Sequence, residues 1–272
     1  MDIDQHYSHH TDETFLLQQL RERYPEGPSV YQLAPLDQLH IGGIKASEKL
    51  LHQLKQDQPK RILEIGSGIG GLMRMLAATE TEVIGIDITH RFNRLNRAIS
   101  NLTVPVTSPS VITCDARQLP FANHYFDCII FQHSLLNIPQ TDLCLQECRR
   151  VLTTNGSLLL HEVLQGPNPH NMRYPVPWAS CAEQSHLLTF EAINGLLQQH
   201  NFSLERAENW SSDALQWRQR QAKKEDSVKS PAPLSPSKIL GETFSQMGPN
   251  VMANLNAGAV EVWQLSCRGQ KA

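Results

Sequence analysis

Short apolar runs alternate with stretches of helical spacing along the chain from about residue 60 onward. Apolar runs of about four to eight residues, rich in Val, Ile, Leu and Phe, are typical of strands that are buried on both faces. Helical stretches between such strands favour a parallel sheet with helices on both faces. The predicted strands cover residues 61–65, 82–88, 111–114, 126–131 and 157–163, a weaker one lies around 203–207, and the last covers 258–267.

The predicted helices follow apolar positions that recur every three to four residues. Thr89 is a predicted N-cap for the helix after the second strand, because its hydroxyl can accept a backbone N–H. Thr154, Asn155 and Gly156 predict a turn before the fifth strand. The helices are predicted over residues 13–23, 46–56, 70–78, 89–100, 141–152 and 189–200.

Two segments depart from this alternation. Four prolines between residues 165 and 185 exclude a regular helix or a central strand there. Residues 223–237 combine lysine and serine with three prolines, which predicts a mobile loop. We therefore expect an N-terminal helical cap over residues 1–58 and a main domain over residues 59–272, with insertions near 165–185 and 210–257.

Composition excludes several classes of protein. The 272 residues carry a formal net charge of -3, which provides no broad basic field for a nucleic-acid backbone. No apolar run approaches the roughly 20 residues of a membrane span, and the N-terminus lacks the basic-then-apolar order of a secretory signal. The cysteines form no Cys-x-x-Cys pair, and no histidine stands at ligand spacing from Cys144 and Cys148. We therefore expect a reduced cytoplasmic protein that binds no metal and no nucleic acid.

A glycine-rich loop after the first strand carries the clearest chemical signal. Residues 62–71 read ILEIGSGIGG. Glycines allow a sharp turn and the close approach of a ligand, and the next helix offers N–H groups to an anion. Asp87 ends the second strand about 20 residues later, where its carboxylate can accept hydrogen bonds from a ribose. These residues fit a dinucleotide site and any other nucleoside-type site equally well.

Two further carboxylates distinguish between these ligands. Glu64 precedes the glycines, where a carboxylate would repel a pyrophosphate and attract an ammonium group. Asp115 follows the third strand, within reach of an adenine amino group. Since the carboxyl ends of parallel strands meet at one edge of the sheet, Glu64, Asp87 and Asp115 should converge there. This acidic row favours a cationic sulfonium nucleoside with a free amino acid end over a dinucleotide.

The order and spacing of these motifs over roughly residues 40–165 resemble the class I methyltransferases that use S-adenosylmethionine. The resemblance rests on the loop 64–71, on Asp87, and on CDARQLPF (114–121), Phe126-Asp127 and LTTNGS (152–157). It implies an α/β, Rossmann-like seven-stranded sheet with an antiparallel last strand. It also implies S-adenosylmethionine as the cofactor.

The same resemblance implies cofactor contacts position by position. The methionine end would lie near Glu64 and Gln132, the ribose near Asp87 and the adenine near Asp115, while His40 would close over the cofactor from the N-terminal side. The implied cofactor residues are His40, Gly42, Glu64, Gly66, Gly68, Asp87, Ile88, Asp115, Ala116 and Gln132.

A closer resemblance links the chain to the bacterial small-molecule branch that includes glycine, sarcosine and dimethylglycine N-methyltransferases. It rests on LAPLDQLHIGG (33–43), QHSLLNI (132–138) and YPVPWA (174–179). Sugar O-methyltransferases and tocopherol and sterol C-methyltransferases are neighbouring relatives. We therefore expect methyl transfer to a small molecule, preferably to an amine nitrogen, with O- or C-methylation of a sugar, quinone or other natural product as the alternative. An NAD-dependent oxidoreductase and a non-catalytic cofactor-binding protein remain as more distant alternatives.

Residues after the fourth strand and in the proline-rich segment are candidates for contact with the acceptor. His133 is the candidate general base, because it follows the fourth strand at the expected site edge and a protonated acceptor must lose a proton; a loop histidine held by structural hydrogen bonds is the alternative. His161 and Glu162 on the fifth strand are a second candidate pair. Alternation sends their side chains to opposite faces, so one can reach the site while the other is structural.

Tyr174 and Trp178 can hold a methylated ammonium by cation–π attraction, or simply pack the loop. Together with Asn137 they are the predicted substrate-binding residues.

Overall fold

The computed structural model describes residues 13–77, 79, 81–103, 110–227, 234–241 and 243–271. Its strands are β1 (Arg61–Ile65), β2 (Glu82–Asp87), β3 (Ser110–Thr113), β4 (Phe126–Gln132), β5 (Leu152–Gln165), β6 (Phe202–Asn209) and β7 (Val260–Gly269). They form one sheet in the order β3-β2-β1-β4-β5-β7-β6. The first five strands run parallel, and β7 runs antiparallel to both of its neighbours. The predicted Rossmann-like sheet with an antiparallel last strand is confirmed.

The helices connect these strands and cover the sheet. They are α1 (Glu13–Arg23), α2 (Val30–Asp37), α3 (Ile44–Asp57), α4 (Gly71–Leu76), α5 (His90–Ser100), α6 (Thr141–Val151), α7 (Phe190–Gln199), α8 (Ser211–Ser227), α9 (Ser237–Leu240) and α10 (Phe244–Asn256). Short 3-10 helices occupy Leu135–Asn137, Pro169–Asn171 and Ala182–Gln184.

Alternation along the central strands explains why helices pack on both faces. In β1, Leu63 points into an apolar cluster that includes Leu145 of α6. Its neighbour Ile62 points to the opposite face and joins Leu50 and Leu54 of α3. Successive side chains of a strand point to opposite faces, so a strand with apolar side chains on both faces must be covered on both.

Local capping sets the ends of several helices. The Thr189 hydroxyl accepts the Ala192 N–H at 3.1 Å at the start of α7, and Asn201 follows this helix with φ of +56°. Thr89 does occupy the N-cap position of α5, but its side chain makes no cap hydrogen bond. Instead, the Thr89 N–H donates to the Asp87 carboxylate at 2.9 Å. The carboxylate at the end of β2 therefore fixes the turn into α5.

Three features of the chain differ from the expectations drawn from the sequence. Helix α2 was not predicted, because Pro35 lies inside it; Ser29 and Gln32 form a reciprocal capping box at its start. The expected mobile loop over 223–237 is wrong for residues 223–227, which continue α8; residues 228–233 lie outside the described residues. The expected turn at 154–156 falls within β5, where Asn155 has φ of +61°.

Candidate functional site

The carboxyl ends of β1, β2 and β4 meet at one edge of the sheet around a cavity of about 190 Å³. A cleft at this edge is the usual ligand site of an open α/β sheet. Twelve of the fourteen residues singled out in the sequence line it: His40, Glu64, Gly66, Gly68, Asp87, Ile88, Asp115, Ala116, Gln132, His133, Asn137 and Trp178.

The glycine loop forms one wall of this cavity. Gly66 and Gly68 have φ of +74° and +52°, a region that residues with a Cβ rarely adopt. A Cβ on Gly66 would lie 2.3 Å from the Ser134 Cβ, whereas a Cβ on Gly68 would meet no atom of the described residues within 4 Å. The Gly68 N–H donates to the Asp87 carboxylate at 2.9 Å. The loop is thus tied to the end of β2 and leaves open space beside Gly68 for a ligand.

Glu64 is a buried carboxyl group that lacks a full set of partners. Its residue is 4% exposed, and its Oε2 has no hydrogen-bond partner among the described residues. Burial raises the pKa of Glu64 to about 8; the nearby Arg74 guanidinium lowers the pKa and the Asp87 carboxylate raises it. A buried acceptor without a partner is costly, so this position favours a ligand that brings a hydrogen-bond donor or a positive charge.

Asp87 and Asp115 are both oriented by neighbouring donors. Asp87 accepts one backbone N–H on each carboxylate oxygen, from Gly68 and Thr89. Asp115 receives three hydrogen bonds from the Arg117 guanidinium at 2.6–3.0 Å. These hydrogen bonds hold the pKa of Asp115 below its usual value, so the carboxylate is ionised and fixed at the cavity wall.

Three histidine rings lie together beside the cavity. The His133 ring centroid is 5.0 Å from that of His161 and 5.9 Å from that of His40. His161 Nε2 donates to the Ile41 carbonyl at 2.9 Å, and His40 Nε2 donates to the Gly43 carbonyl at 3.0 Å. Burial lowers the pKa of all three, to about 3 for His40 and about 4 for His161. The cluster is therefore neutral near pH 7, and within the described part of the chain His133 Nε2 has no hydrogen-bond partner.

Gly42 and Tyr174 do not line the cavity. Gly42 lies against the Trp210 ring, where a Cβ would approach two ring atoms to 2.5 Å. Tyr174 is partly buried against an apolar cluster beneath the proline-rich segment. In contrast, Trp178 of the same segment lines the cavity and donates from its indole Nε1 to Ser185 Oγ at 3.2 Å.

Several lining residues were missed by sequence reasoning. Three of them are direct sequence neighbours of predicted site residues, so the recognised motifs could have indicated them: Ser67, Arg117 and Ser134. Leu240 comes from α9, about a hundred residues beyond β4, and nothing in its local sequence indicates a position at the cavity.

The described residues contain no helix that is long and apolar enough to cross a membrane. Over the same part of the chain, no group of three or more His, Cys, Asp or Glu side chains is arranged to hold a metal ion.

Comparison with known proteins identifies the domain. The family model described as methyltransferase domain matches residues 63–160. Over 154 residues, 53% of this chain, the sequence is 32% identical to the ubiquinone/menaquinone biosynthesis C-methyltransferase UbiE of Paraburkholderia xenovorans, and the match spans 63% of that protein.

Two solved structures share the fold. A Galdieria sulphuraria protein assigned as a sarcosine dimethylglycine methyltransferase matches with a TM-score of 0.67 at 16% identity, over 84% of this chain and 86% of the other. The phosphoethanolamine N-methyltransferase 2 of Haemonchus contortus, in complex with phosphomonomethylethanolamine and S-adenosylhomocysteine, matches with a TM-score of 0.65 at 18% identity, over 94% of this chain and 60% of the other. Neither the family model nor these relatives support the dinucleotide alternative. Residues 63–160 of this chain therefore match the methyltransferase domain family, and the fold is shared with solved methyltransferase structures.

Proposed function

We propose that this protein transfers a methyl group from S-adenosylmethionine to a small molecule without a negatively charged group, preferably to an amine nitrogen. The observation that carries the proposal is the buried Glu64 carboxyl beside the left-handed glycines Gly66 and Gly68, because one of its oxygens has no hydrogen-bond partner in the part of the chain that the structure describes. A ligand with a free ammonium group would complete this position, and Asp87 and Asp115 supply acceptors along the same cavity.

The residues present fit this cofactor. Glu64 and Gly68 would hold its amino acid end, and Asp87 the ribose. Asp115 would accept from the adenine, with the exposed side chain of Ile88, which also lines the cavity, against the ring. The remaining proposed contacts are His40, Gly66, Ala116 and Gln132; Gly42, which lies away from the cavity, is proposed to act only through the packing of Trp210.

Bound S-adenosylmethionine supplies a methyl group on a positively charged sulfur. The chain's own task is to align a nucleophile and to exclude water, which together can lower the barrier by several kcal/mol without a catalytic side chain. His133 is the proposed base. Because burial and the neighbouring histidines lower its pKa well below the ordinary value, it is a neutral acceptor rather than a strong base. This favours an amine, which loses its proton more readily than a hydroxyl does.

The charges around the cavity support an acceptor that carries no anionic group. Among the described residues that line the cavity, Arg117 provides the single guanidinium or ammonium group, and Asp115 already engages it in an ion pair at 2.6 Å. A phosphate or carboxylate on the acceptor would find no free cation on these walls. The walls beyond His133 include Ile138, Pro139 and Trp178, which suit an apolar body.

A second candidate function is C-methylation of a quinone-type ring. The similarity to the UbiE proteins favours it, and so do the apolar walls of the cavity. Asn137, Trp178 and His133 would contact the acceptor in either case. Tyr174 would support Trp178 by packing from outside the cavity.

Label transfer from methyl-labelled S-adenosylmethionine into a small-metabolite extract, read by mass spectrometry, tests the proposal. We expect label in a low-molecular-weight product, and the position of the label distinguishes an amine nitrogen from a ring carbon. Calorimetry with S-adenosylhomocysteine should show binding to the same site. Absence of both labelled product and binding would contradict the proposed function.

A further inference from the structure

A single buried carboxylate holds the loop that follows β4. The N–H groups of Ser134 and Leu135 both donate to Glu162 Oε1, at 2.9 and 3.0 Å. Glu162 belongs to β5 and is 2% exposed. These N–H groups lie at the start of the 3-10 helix Leu135–Asn137, where the Ser134 side chain makes no cap hydrogen bond. Glu162 therefore supplies the cap that the helix does not provide for itself.

The same loop presents His133 to the cavity. His133 has φ of +54°, a conformation that is uncommon for residues other than glycine and that persists only where the surroundings enforce it. Its N–H donates to the His161 carbonyl at 2.9 Å. Two adjacent residues of β5, His161 and Glu162, thus bind three consecutive N–H groups of the loop, and together they fix its conformation.

The loop also touches the glycine wall of the cavity. Ser134 Oγ donates to the Ile65 carbonyl at 2.6 Å. The Ser134 Cβ stands so close to Gly66 that a Cβ there would be 2.3 Å away. Ser134 therefore connects the backbone that is bound by Glu162 with the backbone of the glycine loop.

We propose that Glu162 is a positioning residue that fixes the loop 133–135 against the glycine loop and so aligns the acceptor end of the site with the cofactor end. The inference rests on the proposed function, because it assigns the two ends to acceptor and cofactor. Glu162 touches neither ligand: it acts through the backbone of Ser134 and Leu135. Burial raises the pKa of Glu162 to about 7, so the uncharged, protonated carboxyl is populated near neutral pH. Glutamine resembles this form, because it is uncharged and keeps one acceptor oxygen.

Asp127 provides a matched control at the opposite edge of the sheet. Its Oδ2 likewise accepts two consecutive N–H groups, from Lys60 and Arg61, at 3.1 and 3.0 Å. Asp127 does not line the cavity. Loss of either carboxylate removes two backbone hydrogen bonds. Asp127 is less buried than Glu162, so the loss of stability can differ between them, but a purely structural role predicts no specific effect of either residue on ligand affinity or on the His133 signals.

The test compares Glu162→Ala, Glu162→Gln and Asp127→Ala by calorimetry with S-adenosylhomocysteine, thermal unfolding, and the ring signals of His133 in NMR spectra. We expect Glu162→Ala to weaken binding about tenfold or more and to shift the His133 signals. Glu162→Gln should restore affinity to within about threefold of the wild type. Asp127→Ala should lower the unfolding temperature but leave affinity within about twofold and the His133 signals in place.

The proposal would be overturned if Glu162→Ala had the affinity of the wild type and unchanged His133 signals. It would also be overturned if Glu162→Ala and Asp127→Ala lost the same affinity for S-adenosylhomocysteine. If Glu162→Ala does not fold, Glu162→Asp replaces it, because a side chain shorter by one methylene cannot reach both N–H groups. Wild-type protein that binds no S-adenosylhomocysteine would contradict the proposed function alone. The His133 signals of the variants would then still decide whether Glu162 positions the loop.

Discussion

Glu64 and His133 are both kept neutral near pH 7 by burial, although they are groups of opposite kind. Burial disfavours the charged form of any side chain, so it raises the pKa of the carboxyl and lowers that of the imidazole. The consequences for binding differ. The carboxyl becomes ionised when a positive charge is bound beside it, whereas the imidazole offers an unprotonated nitrogen without any change of state.

Glu64 should make cofactor binding depend on pH. With a pKa of about 8 in the free protein, Glu64 is mostly protonated at pH 7. A bound ammonium group favours the ionised form, so binding releases a proton. Affinity for S-adenosylhomocysteine should therefore rise by up to about tenfold from pH 6 to pH 7 and level off above about pH 8. Calorimetry in buffers of different ionisation enthalpy measures the released proton directly.

Glu64→Gln should abolish both the proton release and this pH dependence and should weaken binding at pH 8. Glu147→Gln serves as the control, because Glu147 caps the backbone of Leu119 and pairs with Arg150 away from the cavity lining. If Glu64→Gln released as many protons as the wild type, another group would be responsible and the assignment of Glu64 to the ammonium group would be wrong.

His133→Ala should separate turnover from cofactor binding. Removal of a general base lowers turnover by about 10² to 10⁴-fold, while S-adenosylhomocysteine affinity should change by less than about threefold. Because the pKa of His133 lies well below 6.5, wild-type turnover should show no imidazole titration between about pH 6 and pH 8. Steady-state rates of label transfer against pH provide the measurement. If His133→Ala turned over as fast as the wild type, His133 would not be the base.

At the scale of elements, the glycine loop and the loop after β4 are packed against each other so closely that the Ser134 side chain leaves no room for one at Gly66. Gly66→Ala introduces a Cβ 2.3 Å from the Ser134 Cβ at a residue with φ of +74°. We expect a loss of about 1–3 kcal/mol in the free energy of unfolding, together with at least tenfold weaker binding of S-adenosylhomocysteine. Urea unfolding and calorimetry check the two effects.

Gly195→Ala is the matched control for this substitution. Gly195 lies within α7, and a Cβ there would meet nothing within 4 Å. Alanine favours a helix over glycine by up to about 1 kcal/mol, so the variant should be as stable as the wild type or more so, with unchanged binding. A Gly66→Ala variant that behaved like Gly195→Ala would show that the contact with Ser134 relaxes without cost.

The strands were predictable because their pattern is local. β1 and β4 are short, mostly apolar segments that end at glycine or polar residues, and such segments depend little on distant contacts. The extent of β5 was not predictable, since its last residues up to Gln165 are ordered by pairing with β7 almost a hundred residues later. The unpredicted α2 contains Pro35, yet its Leu33 and Leu36 are buried against α1 and α5, so tertiary packing outweighs the local cost of the proline.

The residues at the site also divide into those that local sequence predicts and those that depend on distant contacts. Glu64, Asp87 and Asp115 follow directly from strand ends, and their meeting at the cavity was predictable because parallel strands bring their carboxyl ends to one edge. That Leu240 lines the cavity and Gly42 does not was not predictable, since both positions depend on how segments outside the alternating pattern fold back. The hydrogen bonds of Glu162 were not predictable for a related reason: its partners lie in the loop after another strand.

At the scale of the whole molecule, the N-terminal segment is part of the same folded unit as the sheet. Helix α3 covers one face through Leu50 and Leu54, which pack with Ile62, Cys128 and Ile130. The segment also carries Asp37, whose carboxylate meets the buried Arg74 guanidinium at 2.8 Å. The expected boundary at residue 58 therefore divides the sequence, but the apolar core and a buried ion pair join the residues on its two sides.

We accordingly predict that residues 59–272 do not fold alone. Without α3, a face of the sheet is exposed to water at a cost of about 2 kcal/mol for each large apolar side chain. Arg74 then keeps a buried charge without its carboxylate, which costs about 3–5 kcal/mol. These losses together match the whole stability of an ordinary domain, about 5–15 kcal/mol.

Circular dichroism and size-exclusion chromatography of residues 59–272 should show an unfolded or aggregated fragment, and co-expression of residues 1–58 as a separate chain should restore a soluble complex. A fragment that unfolds cooperatively near the temperature of the full chain would instead establish residues 1–58 as a separable cap.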